Sequence, residues 1–213
     1  VRHELQAAAD ETIERFGKVH VLVNNAGVQG CGPYGAWSQN AWDWTFAVNM
    51  MSVIYGVDIF TPLLTAHGEG GHIVSTASGA GLITTNSAPY GASKAWLITL
   101  SEGLRKDLKP LGVDVSVLCP GMVNTNFGDS TRNLPDRFEG EIKPLAGPGS
   151  GNDPEEEAMM RTMMENAMDP MQVGGIVRDG ILQNRDYIFT DRSFEGMVDS
   201  RYASIKAAIE RPV

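Results

Sequence analysis

Cysteine is nearly absent: the 213 residues hold two, Cys31 and Cys119. Two thiols so far apart exclude a disulfide framework or a cysteine metal cluster, and each is read as a small buried hydrophobe of a reducing compartment. Histidine is scarce too, and His3, His20, His67 and His72 show no ligand spacing, so no metal is expected. His20 and His72 stand at the starts of apparent strands, where a partly buried, hydrogen-bonded ring is expected. Basic residues are few, 17 Lys+Arg against 26 Asp+Glu for a formal charge of -9, which removes any general attraction to nucleic acid or an anionic membrane. Long apolar runs are missing as well. Met50–Tyr55 and its like are broken by Gly and Asp well before the roughly 20 residues that span a bilayer, and no basic-then-apolar leader opens the chain. A cytoplasmic location is therefore expected. What remains, 42% hydrophobic and 20% charged, is the profile of an ordinary globular domain without internal repeats.

Periodicity gives the order of elements. Val1–Phe16 carries Leu5, Ala8, Ala9, Ile13 and Phe16 at helical spacing and stops at Gly17. Val19–Val23 is β-branched and reads as a buried strand feeding Asn24-Asn25-Ala26-Gly27. Ser38–Ala66 predicts one long helix, His72–Thr76 a second strand, Ala88–Leu108 a helix ending before Pro110, and Val113–Leu118 a third strand stopped by Pro120-Gly121. Pro154–Ala167 and Met171–Gln183 predict two further helices, Tyr187–Thr190 a fourth strand, and Ser193–Glu210 a last helix. Strand and helix alternate, so right-handed crossovers and a parallel sheet covered on both faces are expected. The chain reads as one domain, 1–213, with a long excursion at about 124–170.

In open α/β sheets ligands bind beyond the carboxyl ends of the strands. The polar residues gather there: Asn24–Gly27, Ser75–Ser78 and Pro120–Thr125. Tyr90 and Lys94, in Tyr-Gly-Ala-Ser-Lys, are four apart and share one helix face. A phenol of pKa about 10 is a poor base at neutral pH, and a neighbouring cation favours its phenolate, so Tyr90 becomes a credible proton donor or acceptor.

With these residues in place, the sequence resembles the short-chain dehydrogenase/reductase family over nearly its whole length. The matching pieces keep the family's order: Asn24-Asn25-Ala26-Gly27, Asn49 within the following helix, Ser78 in Ser-Thr-Ala-Ser-Gly-Ala-Gly, Tyr90-x-x-x-Lys94, and Pro120-Gly121-x-Val-x-Thr125. The resemblance implies Tyr90 as general acid/base, Lys94 lowering its pKa and holding the nicotinamide ribose, Ser78 orienting the substrate oxygen and Asn49 fixing a water in a proton relay. It implies a cofactor wall from Asn24, Ala26, Gly27, Pro120, Gly121 and Thr125, with NAD or NADP as cofactor. Ser75, Thr76 and Ser87 compete with Ser78 for the hydroxyl role, Thr125 also suits a helix cap, and a buried Asn49 also suits a kink in its helix.

The family's opening strand, its Gly-rich turn and the residue that chooses NAD or NADP have no counterpart in Val1–Gly17. The expectation is thus a partial Rossmann-like doubly wound parallel sheet of about four strands, beginning in the helix before the family's fourth strand, binding dinucleotide poorly alone and leaving Val19–Val23 as an uncovered edge. The implied activity interconverts a secondary alcohol and a ketone. A nucleotide-sugar epimerase or dehydratase shares Tyr-x-x-x-Lys but not the pairing of Asn49 with Pro120-Gly121. A truncated binding or assembly module is the alternative outside catalysis. A homodimer or homotetramer is expected through the 38–66 and 88–108 helices, where Trp42, Trp44, Tyr55 and Trp96 offer apolar surface. Met159, Met160, Met163, Met164 and Met168, with Met171 close by, suggest a pliable lid over a hydrophobic, aromatic substrate, although such a stripe also suits packing.

Overall fold

Four strands, β1 (Val21–Asn24), β2 (Gly71–Thr76), β3 (Val113–Cys119) and β4 (Tyr187–Phe189), pair in parallel and in sequence order. They belong to a computed structural model that describes residues 2–30, 34–35, 38–83, 85, 87–138 and 165–211. The helices are α1 (Arg2–Phe16), α2 (Gln39–Phe46), α3 (Ser52–Ala66), α4 (Ala88–Leu108), α5 (Pro170–Leu182) and α6 (Glu195–Ile209). Adjacent strands pair Asn24 with Ser75 and Ser75 with Val117, so the polar turns that follow β1, β2 and β3 emerge along one edge of the sheet.

Alternation of side chains across the pleat divides the core into layers. Ile73, Val113 and Val115 pack with Ala9, Ile59, Phe60 and Leu64 under α1 and α3, while Val117 and Cys119 meet Leu97 and Ile98 of α4. On the other face Val74, Leu118 and Ile188 pack with Val173, Ile176 and Val177 of α5. The central strands are buried on both faces, as parallel strands under helices must be. β1 differs from the buried strand read at 19–23 but matches the uncovered edge expected there: Val21 and Val23 are 42% and 49% exposed and alternate with partly buried Leu22 and Asn24, with one face uncovered among the described residues.

The expected single helix over 38–66 is continuous but carries a π turn, Ala47–Met51, between α2 and α3. Ser38 caps it, its hydroxyl accepting from the Ala41 N–H at 3.1 Å. Contrary to the reading of broken apolar runs, Gln39–Ala66 is 28 residues long, with a most apolar window of mean hydropathy 1.4, and by length and composition alone matches a membrane-crossing helix. Val53, Ile59, Phe60 and Leu64 of this helix are instead buried in the core. Trp44, expected on an outer contact face, is 2% exposed and packs against Val28, Ala41 and Phe138, so it belongs to the core of the chain.

The helix expected over 154–167 lies almost wholly outside the described residues, as do Met159, Met160, Met163, Met164 and Cys31. The described ends of that excursion meet: Asn124 N–H donates to the Met168 carbonyl at 2.9 Å, and Met168 N–H to the Met122 carbonyl at 3.0 Å. This short parallel bridge fixes both ends of the excursion beside the carboxyl end of β3. Asp169 then caps α5, its carboxylate accepting from the Met171 N–H.

Candidate active site

The turn after β2 is built against α4. Ser78 opens Gly79–Gly81, its hydroxyl accepting from the Ala80 N–H at 3.1 Å, and a Cβ on Gly81 would lie 2.7 Å from the Lys94 carbonyl carbon and 2.8 Å from the Ala95 nitrogen. Only glycine allows this approach, which holds the turn bearing Ser78 against α4 and the Ser78 hydroxyl close enough to the Tyr90 phenol to act on its pKa. Pro89 near the helix start sets the first turn of α4, so Tyr90 and Lys94 share its inner face. The Lys94 ammonium lies 5.6 Å from the Tyr90 ring centre and donates to the Thr76 carbonyl at 2.7 Å.

Burial governs the electrostatics. Lys94 is 3% exposed, and loss of hydration pushes its pKa down to about 8. The Tyr90 phenol is pushed above its ordinary value by burial, against the hydrogen bond from Ser78. The lowering of the Tyr90 pKa expected from Lys94 is not what is found here: burial raises it, and the group that opposes the rise is Ser78. Tyr90 holds its proton at neutral pH and is a proton donor in this state. Cys119, pushed up to about 12 by burial, remains a thiol.

Asn49 occupies the π turn and is 1% exposed. Its carbonyl accepts from the Val28 N–H at 2.8 Å, while its amide donates to the Val28 carbonyl at 2.9 Å and the Ser93 hydroxyl at 3.0 Å. Ser93, which the sequence reading did not single out, donates onward to the Tyr90 carbonyl at 2.8 Å. The Asn49 side chain thus spends both donors on protein groups and ties the loop after β1 to the first turn of α4.

The other expected residues line the same edge. A Cβ on Gly27 would sit 3.3 Å from the Lys94 nitrogen and 3.6 Å from the Asn49 side-chain oxygen, so glycine keeps this loop close to both. Ala26 is exposed along that edge. The Asn24 side chain instead points inward, its amide 3.4 Å from the Ser75 hydroxyl and its oxygen 2.5 Å from where a Gly56 Cβ would stand. The Pro120 carbonyl accepts from Gly79 N–H at 3.2 Å and Gly121 N–H donates to the Thr190 hydroxyl at 2.9 Å, joining three strand ends. Thr125 is exposed and caps Asn126–Asn133, its hydroxyl accepting from the Phe127 N–H. Of the rival hydroxyls, Ser75 is fully buried and Thr76 donates to the Asn25 side chain.

Two aromatic rings that the sequence reading passed over close the site. Phe127 lies 5.5 Å from the Tyr90 ring, and a Cβ on Gly79 would collide with the Phe194 ring at 2.1 Å. Neither had a sequence signal, since the approach of Phe127 to Tyr90 and of Phe194 to Gly79 is set by the paths of the 126–133 and 190–194 segments.

A nicotinamide dinucleotide fits part of this edge. The buried Lys94 ammonium has three protons and spends one on Thr76, leaving donors suited to a ribose diol, and Gly27 leaves the approach open. A Gly-rich strand-to-helix turn for the pyrophosphate is absent among the described residues.

Residues 1–135 match the family model described as short chain dehydrogenase. The chain is 30% identical over 209 residues to a C alpha-dehydrogenase from Sphingobium sp., covering 93% of this chain and 66% of that protein. It is also 30% identical over 138 residues to a 3beta-hydroxysteroid dehydrogenase 2 from Eggerthella lenta, covering 64% and 53%. The chain thus matches under two thirds of the length of either relative. The crystal structure of a short-chain dehydrogenase/reductase from Burkholderia phymatum in complex with NAD superposes with a TM-score of 0.88 at 33% identity, covering all of this chain and 76% of that one.

Proposed function

The chain belongs to the short-chain dehydrogenase family, and from that premise we propose that the protein is an NAD(P)-dependent oxidoreductase interconverting a secondary alcohol and a ketone. The observation that carries this reading is the buried Lys94 ammonium 5.6 Å from the Tyr90 ring centre, with the Ser78 hydroxyl near enough to the phenol to act on its pKa. When bound, the nicotinamide supplies or accepts the hydride. The chain's own residues manage the proton and the geometry. Ser78 and Tyr90 offer two hydroxyls to one substrate oxygen. In reduction Tyr90 gives its proton as charge develops on that oxygen, and in oxidation the phenolate takes the proton back. Lys94 holds the ribose and stabilises the phenolate with its charge.

Asn49 acts as a positioning residue through Val28 and Ser93. Ala26, Gly27, Pro120, Gly121 and Thr125 form the cofactor wall, and Asn24 supports that wall from behind. Phe127 beside the Tyr90 ring, with Phe194 packed on Gly79 next to Ser78, favours a hydrophobic, aromatic substrate. The relative from Eggerthella lenta, named for a hydroxysteroid, supports an apolar alcohol in the same position. A cytoplasmic homodimer or homotetramer completes the proposal, with the Trp96, Leu100 and Leu104 face of α4 as the contact, since these three are only partly buried. The test is a panel of aryl and small aliphatic ketones assayed with NADH and NADPH by loss of reduced-nicotinamide absorbance. Turnover of aryl ketones with either cofactor is expected, and none with any carbonyl would overturn the reading.

A further inference from the structure

The opposite edge of the sheet, where the strands begin, carries a cluster that the proposed chemistry does not use. His20 directly precedes β1, while His67 ends α3 and Glu69 lies in the turn to β2. Gly68 and Gly70, with φ of 69° and 84°, reverse the chain on either side of Glu69 and bring its carboxylate back beside both rings. The rings of His20 and His67 stand 4.4 Å apart, and one ligand atom from each of the three residues lies within 4.8 Å of the others.

The surrounding hydrogen bonds prepare these atoms. His67 Nε2 lies 2.9 Å from the Val19 carbonyl, which can only accept, so Nε2 carries the hydrogen and Nδ1 keeps the lone pair. That is how a metal-binding histidine is oriented, its second nitrogen donating to a backbone carbonyl. The partner of His67 Nδ1 is the Glu69 N–H at 3.2 Å, a long bond. His20 Nε2 stands 2.8 Å from Glu69 Oε2. Lys18 occupies the other carboxylate oxygen, Oε1, and leaves Oε2 to face the histidines. The side chains of His20 and Glu69 are 49% and 51% exposed, so an ion reaches them directly from solvent.

We propose that His20, His67 and Glu69 form a three-ligand site for a borderline divalent ion of the zinc class. Two imidazoles and one carboxylate are a donor set that zinc accepts in tetrahedral geometry, with water completing the shell. Binding moves the His20 proton from Nε2 to Nδ1, releases the Glu69 N–H from His67 Nδ1 to water, and opens the His20–Glu69 pair slightly to admit the ion. An occupied site would clamp the start of the edge strand to the turn between α3 and β2, and stabilise the fold by linkage.

The experiment titrates zinc chloride into the protein in competition with a zinc indicator dye. It compares wild type with His20→Ala, His67→Ala, Glu69→Gln, Lys18→Met and a His3→Ala control, each checked for helix content by circular dichroism. One zinc per chain is expected, with affinity reduced about tenfold or more in the three ligand variants. Affinity should be unchanged in His3→Ala, and higher in Lys18→Met, where the opposing ammonium is gone. Absence of saturable binding, or equal affinity in wild type, His20→Ala and Glu69→Gln, would overturn the proposal. None of these readouts depends on the oxidoreductase assignment.

Discussion

The Asn49 amide donates to the Ser93 hydroxyl at 3.0 Å, joining the π turn after α2 to the first turns of α4 across 44 residues of sequence. Because Ser93 passes a hydrogen bond to the Tyr90 carbonyl, the position of the proposed proton donor depends on an amide that does not touch it. The same amide clasps Val28 by both backbone groups. Asn49→Ala leaves those buried groups unpaired and should cost about 2–3 kcal/mol of stability. Turnover should fall more than cofactor affinity, and Asn49→Gln should not restore it, since the extra methylene has no room at a site 1% exposed. Denaturant melts and steady-state kinetics on both variants check this.

The opposed shifts of Tyr90 and Lys94 set the pH behaviour. Tyr90 is raised and so keeps its proton at neutral pH, which suits donation to a ketone. Ketone reduction should hold through neutral pH and decline as pH climbs past about 8, where Lys94 loses its charge. Alcohol oxidation, which needs the phenolate, should rise from neutrality up to about pH 8 and level off beyond it, where loss of the Lys94 charge offsets the gain in phenolate. Parallel pH profiles for the two directions would contradict this.

Lys94 also bears on stability. Its folded pKa, about 8, lies below the ordinary 10.5, so the unfolded chain binds more protons between those values and stability rises with pH across that window. At neutral pH the burial penalty is fully present. Lys94→Met should therefore stabilise the fold at neutral pH by about 1–3 kcal/mol, less whatever is lost at the Thr76 carbonyl, while abolishing turnover. A melting temperature unchanged or lowered at neutral pH would show that the Thr76 bond outweighs the buried charge.

Substrate preference rests on the ring beside Tyr90. Phe127→Ala should reduce catalytic efficiency for aryl ketones by about tenfold, or about 1.4 kcal/mol, and for acetone-sized ketones far less. Equal losses on both classes would make Phe127 a packing residue.

Much of this arrangement was legible in the sequence because its signals are local. Helical spacing with Pro110 beyond gives α4 with its observed ends, and alternating strands and helices give the parallel order β1 to β4. Tyr90 and Lys94 were legible because helix periodicity puts them on one face, whereas Ser78 was singled out from its rival hydroxyls only by the family resemblance. What stayed hidden depends on long-range packing. The π turn at Asn49 has the composition of any helix. Burial of Trp44 depends on Val28 and Phe138, far away in sequence. The meeting of His20 with His67 is made by strand pairing and two left-handed glycines, so their spacing carried no sign of it. The direction of the Tyr90 shift depends on solvent exclusion, which a motif does not encode.

The central claim is that the Tyr90 phenol moves the proton while other groups hold the cofactor. The most direct measurement is single-turnover hydride transfer by Tyr90→Phe, alongside a nicotinamide titration of the same variant. The account predicts a fall in turnover of about 100-fold or more with cofactor affinity within a few-fold of wild type. Wild-type turnover in Tyr90→Phe would contradict it.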